Sequence, residues 1–243
     1  MSVIVMIPAR FGATRLPGKP LLDRTGKPLI QHVVEAARGA KSAARVIVAT
    51  DDDRIARAVE RFGGTAVMTS AACRTGTDRL AEAAGKLGLA DDDIVVNVQG
   101  DEPEMPPSCI DTLAELLVRS GQPMATLATP LAADQADNPN KVKVVLDKNG
   151  RAMYFSRARI PFDRDGTGTA RYLLHLGIYA YRAGFLKTFT ALAPTPAEQA
   201  EKLEQLRALE HGYGIAAAVV DYHGTGIDTP EDYEAFVEKM KNR

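Results

Sequence analysis

Short runs of consecutive apolar residues alternate with longer stretches in which apolar residues recur with helical spacing. The runs at 2–7, 45–50 and 93–98, with a shorter one at 65–69, predict strands. Between them, residues 28–40 set Leu29, Ile30, Val33, Val34 and Ala37 on one face and predict a helix. Asp52 suits the cap of a second helix running to Arg61 and ended by Gly63 and Gly64, and Thr77 suits the cap of a third over 77–87. The runs at 46–49 and 94–96 lack polar alternation, which predicts strands covered on both faces, as in a parallel sheet.

After a helix at 108–119 the pattern changes. Strands are predicted at 124–131, 174–182 and 215–222, and Asn149-Gly150 marks a hairpin between strands at 141–147 and 152–156. Residues 196–211 read as one helix ended by Gly212, and 230–240 as a last helix. There is no linker, repeat or low-complexity segment. The expectation is an α/β fold in a single domain with a mixed sheet: a nucleotide half over about residues 1–120, then an acceptor half over about 121–243.

Composition narrows the function. A chain of 243 residues with 45% hydrophobic and 25% charged residues fits one large globular domain. The net charge of −1 excludes a global attraction to nucleic acid or to an anionic membrane. Cys73 and Cys109 form no Cys-x-x-Cys pair and read as buried or incidental thiols. The first apolar run has no basic leader and reads as a core strand rather than a signal peptide, and no run approaches the ~18 apolar residues of a membrane span. A cytoplasmic protein is expected.

Against that near-neutral background the loop after the first strand stands out. Residues 8–19 carry Arg10, Arg15 and Lys19, with Gly12 and Gly18 and no acid. Glycines let backbone N–H groups approach a ligand, and the cations add charge-assisted donors, a combination that suits a polyphosphate. The loop is not a Walker A motif, because five residues separate Gly12 from Gly18 and Pro20 follows Lys19 without a hydroxyl; it also lacks the middle glycine of a dinucleotide fingerprint.

Asp101 follows Gly100 beyond the fourth strand, where open α/β sheets bind ligands and a carboxylate can hold Mg²⁺ against phosphates. Near the C-terminal end Thr229, Pro230, Glu231 and Asp232 form a helix start, which leaves Asp228 unexplained and a candidate second metal carboxylate. Residues 74–79 open a helix, where anions bind. Asp51, Asp52 and Asp53 suit capping first and a base or metal second. His175 alone in a strand reads as structural, and Glu201, Glu204 and Gln205 read as a solvated helix face. No Ser/His/Asp arrangement or zinc spacing is visible.

Nine segments in order, at 7–21, 48–52, 75–79, 96–103, 138–145, 154–157, 175–179, 203–207 and 224–232, resemble the 3-deoxy-manno-octulosonate (Kdo) cytidylyltransferase family, the CMP-Kdo synthetases. The resemblance implies a Rossmann-like nucleotide-diphospho-sugar transferase domain that moves CMP from CTP to Kdo for lipopolysaccharide biosynthesis. It also implies Mg²⁺ as cofactor and a homodimer formed through the second half, with no nucleic-acid or membrane partner. By resemblance, Arg10, Arg15 and Lys19 contact the triphosphate, and Ala9, Thr75, Arg79 and Gln99 complete the nucleotide site. Asp101 and Asp228 hold the metal; with Arg10 and Lys19 they form the catalytic set. Gln99, Arg157, His175, Tyr179, Glu204 and Gln205 fall in the sugar-acid pocket. Thr75 replaces an expected serine, Asp78 a frequent glutamate, and 163–170 is shorter than in familiar members. The rival readings are an 8-amino-Kdo cytidylyltransferase, a sugar-1-phosphate nucleotidyltransferase, and a non-enzymatic nucleotide-binding module.

Overall fold

A computed structural model describes residues 1–12, 16–222, 224 and 226–242. Four strands, β1 (Val3–Ala9), β2 (Arg45–Thr50), β3 (Thr65–Met68) and β4 (Ile94–Asn97), pair in parallel in the order β3-β2-β1-β4. Helices α1 (Leu29–Arg38), α2 (Asp53–Arg61) and α3 (Gly76–Lys86) make the crossovers that parallel strands require. After α4 (Pro107–Ser120), β5 (Met124–Leu131) and β9 (Ile215–Val219) extend the sheet in the same direction. Between the two groups lies β8 (Tyr172–Arg182), antiparallel to both β4 and β5. The hairpin of β6 (Lys143–Leu146) and β7 (Ala152–Ser156) joins through β6 to β8, completing a nine-stranded sheet that is mostly parallel.

Both faces of this sheet are covered, which accounts for the unbroken apolar runs. In β1, Val5 and Ile7 pack with Ile30 and Val33 of α1 and with Ile110 and Leu113 of α4. Ile4 and Met6 pack on the opposite face with Leu80 of α3, and with Leu186 and Phe189 of α5 (Ala183–Ala191). A third cluster seats α8 (Pro230–Lys241) on Leu29 through Tyr233, Phe236 and Val237. No helix among the described residues is long and apolar enough to cross a membrane.

Several local expectations are corrected. The cap of α3 is Thr75, not Thr77: Thr75 accepts from the Asp78 backbone N–H, and Asp78 reaches back to the Thr75 N–H. The helix expected over 196–211 is two short ones, α6 (Pro196–Glu201) and α7 (Gln205–Glu210), parted at Lys202 with φ 55°. Helix α5 follows β8 directly and had no separate signal, because its Phe185, Leu186 and Phe189 continue the strand's apolar content. The last strand stops at Val219 rather than 222.

At Gly100 the need for glycine is contact with a neighbouring strand end. A Cβ there would lie 2.9 Å from the Pro8 carbonyl oxygen. The β1 and β4 loops therefore abut. Gly100→Ala is expected to destabilise the fold by about 1–3 kcal/mol through overpacking, read as a lower urea midpoint; an unchanged midpoint would remove this constraint.

Candidate active site

The order β3-β2-β1-β4 reverses direction between β1 and β4, the point at the carboxyl ends of the strands where open α/β sheets bind ligands. A cleft of about 400 Å³ opens there, lined by Ala9, Arg10, Gly12, Lys19, Cys73, Thr75, Arg79, Gln99, Asp101 and Asp228 among others. The loop after β1 is closed by the Gly18 N–H donating to the Phe11 carbonyl at 3.1 Å. Gly18 has φ 69°, a left-handed conformation, and starts a single 3₁₀ turn that carries Lys19 inward. Arg15 lies outside the described residues.

Lys19 joins three distant parts of the chain. Its Nζ donates to Asp101 Oδ2 at 2.7 Å, to the Ile227 carbonyl at 2.8 Å and to Asp228 Oδ1 at 3.3 Å. The Ile227 N–H donates in turn to the Asp101 carbonyl at 2.9 Å. Two carboxylates separated by more than half the sequence thus meet at one positive centre. Next to them Glu102 is half-buried, and its Oε2 has no hydrogen-bond partner. Burial, reinforced by the charges of Asp101 and Asp228, pushes the Glu102 carboxyl up to about 7.

The opposite wall is the start of α3. Thr75 faces the cleft while capping the helix. Arg79 reaches the lining but is 4% exposed and bound to its own scaffold, at 3.1 Å from Asp51 and donating to Thr69 Oγ1 at 2.6 Å. Asp51 is thereby a partner of Arg79, and Asp52 is the cap of α2. Cys73 donates to Glu82, which also accepts from the Ser70 N–H. Glu82 had no sequence signal, since its role in holding this wall appears only once α3 packs beside the 70–75 loop.

A more buried polar set adjoins the cleft. Gln99 lines the cleft and donates from Nε2 to the Gly177 carbonyl of β8 at 3.0 Å. On either side of Gly177, His175 and Tyr179 approach each other with ring centroids 5.3 Å apart. His175 Nε2 is 3.0 Å from Thr126 Oγ1, and its ring meets Phe155 edge-on. Asn97 stands opposite Tyr179 in the ladder. Thr77 Oγ1, in the first turn of α3, donates to Glu204 Oε2 at 2.5 Å.

Burial raises the carboxyl of Glu204 and the phenol of Tyr179, and lowers the imidazole of His175 to about 3. Asn97 Oδ1, Glu204 Oε1 and Gln205 Nε2 are buried without hydrogen-bond partners. Buried polar atoms left so are uncommon, and a cluster of them calls for a polar ligand. Glu204 and Gln205 are therefore not the solvated face that helical spacing predicted.

Arg157 is held differently. Its Nε donates to the Glu201 carbonyl at 2.7 Å and its guanidinium to the Pro139 carbonyl at 3.0 Å, and it is not among the residues lining the cleft. Glu201 accepts from Ser156 Oγ and from the Arg157 N–H, so it too is bonded within the fold rather than solvated. The fully buried Lys143 donates to the carbonyls of Asn138 and Arg157 and braces this corner. Strand alternation alone gave no reason to expect a buried lysine.

A family model described as cytidylyltransferase matches residues 4–217. A 3-deoxy-manno-octulosonate cytidylyltransferase from Syntrophobacter fumaroxidans is 56% identical over 240 residues, covering 98% of this chain and 96% of the relative. Among solved structures, a CMP:2-keto-3-deoxy-manno-octonic acid synthetase complexed with CTP superposes with TM-score 0.95 at 45% identity, over 100% of this chain and 99% of the other. A cytidylyltransferase from Leptospira borgpetersenii, at 18% identity and TM-score 0.65, covers 100% of this chain and 88% of its own, a likeness of fold.

His175 is expected to stay neutral at ordinary pH. Above its usual value of 6.5 both folded and unfolded chains hold the ring uncharged; below it the unfolded chain takes up a proton that the folded one excludes. This contribution to stability is lost as pH falls from 6.5 towards 3, at up to about 1.4 kcal/mol per pH unit. The imidazole proton resonances of His175 should therefore remain flat through pH 6.5; a midpoint there would show a solvated ring.

Proposed function

The chain belongs to the 3-deoxy-manno-octulosonate cytidylyltransferase family, and from that premise we propose that it transfers CMP from CTP to Kdo, giving CMP-Kdo and pyrophosphate. The observation that carries this reading is the cationic cleft and the polar set beside it: Gln99, in the cleft lining, bonds to Gly177 of β8 between His175 and Tyr179, and Asn97, Glu204 and Gln205 hold buried atoms without hydrogen-bond partners.

In the reaction the anomeric hydroxyl oxygen of Kdo bonds to the α-phosphorus of CTP. The bond from that phosphorus to the bridging oxygen breaks, pyrophosphate leaves, and the hydroxyl proton is released. Both substrates are anions, so catalysis is mainly positioning and charge neutralisation. Arg10 and Lys19 supply positive charge to the triphosphate, with Arg15 assigned the same role by resemblance. Ala9, Thr75 and Gln99 border the nucleotide; Arg79, committed to Asp51, shapes that wall more than it donates to it. Beyond Gln99, Asn97 Oδ1 and Glu204 Oε1 accept from sugar hydroxyls, Gln205 Nε2 donates, and His175 and Tyr179 form the neutral wall. Arg157 acts from the corner behind Glu201, by holding the residues that precede α7.

Mg²⁺ fits this donor set. Asp101 and Asp228 already converge on one cation, and Mg²⁺ takes one or two carboxylates plus phosphate oxygens and water rather than an all-protein cage. Bound there, Mg²⁺ supplies charge neutralisation and Lewis-acid polarisation between the two anionic substrates. By the same family reading the protein is a cytoplasmic homodimer serving lipopolysaccharide biosynthesis. The exposed Met153, Tyr154 and Phe162, on and just after β7, support a dimer face in the second half.

Pyrophosphate release from CTP is expected with Kdo and not with a sugar 1-phosphate; release only with 8-amino-Kdo would reassign the acceptor, and CTP binding without turnover would favour a regulatory module. Asp101→Asn should lower the rate at least a hundredfold, about 3 kcal/mol of transition-state stabilisation. A variant that keeps near-full CMP transfer would remove Asp101 from the catalytic set.

A further inference from the structure

A lysine ammonium has three donors. For Lys19 all three are matched within its own chain, by Asp101 Oδ2, the Ile227 carbonyl and Asp228 Oδ1. The side chain is 14% exposed. Lys19 cannot donate to a triphosphate from this position without surrendering one of these bonds. The same two carboxylates are the pair assigned above to Mg²⁺, and a divalent ion and an ammonium on one carboxylate pair repel each other strongly.

We propose that Lys19 is a resident placeholder cation. It offsets part of the charge of Asp101 and Asp228 in the metal-free protein; a divalent ion binding there displaces its ammonium, which turns to the polyphosphate. This deepens, and rests on, the metal reading above. Displacement couples the two ligands. Metal must compete with a tethered cation, so the carboxylate pair binds it more weakly than it would alone. A polyphosphate that accepts the displaced ammonium strengthens metal binding, and metal strengthens polyphosphate binding by the same factor. The C-terminal segment is not released when Lys19 leaves, because the Ile227 N–H remains bonded to the Asp101 carbonyl. Gly18, in its left-handed conformation immediately before Lys19, and the single 3₁₀ turn place the lysine at the edge of a short loop rather than inside a long helix.

Two measurements on the full-length protein test this, with Mn²⁺ as the probe. In the first, wild-type protein is treated with an acetylating reagent, and Lys19 modification is followed by mass spectrometry with and without Mn²⁺. The exposed Lys148 serves as internal control. Lys19 labelling should be slow without metal and rise several-fold with it, while Lys148 is unaffected. In the second, Mn²⁺ affinity is measured by electron paramagnetic resonance for wild type and Lys19→Met, and should be about tenfold tighter in the variant. Mn²⁺ binding to wild type with unchanged or slower Lys19 labelling overturns the displacement and leaves the metal site standing. Equal or weaker Mn²⁺ binding by Lys19→Met does the same. Failure of both proteins to bind Mn²⁺ overturns the metal reading and the placeholder with it. Should Lys19→Met fail to fold, the labelling experiment on wild type decides alone.

Discussion

One ammonium group ties together three segments that are far apart in the chain. Lys19 leaves the loop after β1, meets Asp101 beyond β4, and holds Ile227 and Asp228 from the stretch before α8. Each segment alone is a loop at the rim of a sheet. Joined, they become a wall with fixed charge at the point where the strand order reverses. Placing two carboxylates together is unfavourable unless a cation shares their space. The fold meets that requirement with its own side chain, and the chemistry proposed for the cleft depends on that arrangement being open to exchange.

The rest of the architecture keeps this rim in place. A sheet buried on both faces gives β1 and β4 rigid ends, and contact between Gly100 and the Pro8 carbonyl fixes their loops side by side. The reversed strand β8 lies directly beside β4 and carries His175 and Tyr179 past Gln99. The inner polar set is thus positioned on its β4–β8 side by strand register, not by a flexible linker. Its polar atoms are held in low-dielectric surroundings, which keeps His175 neutral and raises the Glu204 carboxyl.

The sequence was most legible where local chemistry decides structure. The apolar runs marked β1, β2 and β4, Asp52 capped α2 as its type suggests, and Asn149-Gly150 lay in the turn between β6 and β7. The basic loop and the two aspartates could be named from motif order, and their meeting at Lys19 needed coordinates. What stayed hidden was set by packing between distant elements. Nothing local reveals that Arg79 is bound to Asp51, that Lys143 is buried against two carbonyls, or that Glu82 braces the Cys73 side of the cleft. Thr75 and Thr77 both have the residue type of a cap, and only the reciprocal bond with Asp78 distinguishes them.

The left-handed residue Lys202 divides what helical periodicity would make one rod. Glu201 and Glu204, which a continuous helix would stack on one side, instead address separate neighbours: Ser156 and Arg157 for the first, Thr77 for the second. An inserted or deleted residue here would change the path of this short joint and move one acid away from its partners relative to the other. The spacing between these acids is consequently as constrained as their identity, whereas the exposed 163–170 segment is free of any such requirement. Over evolutionary time, changes in chain length should accumulate on that side of β8 and be purged from the joint between α6 and α7.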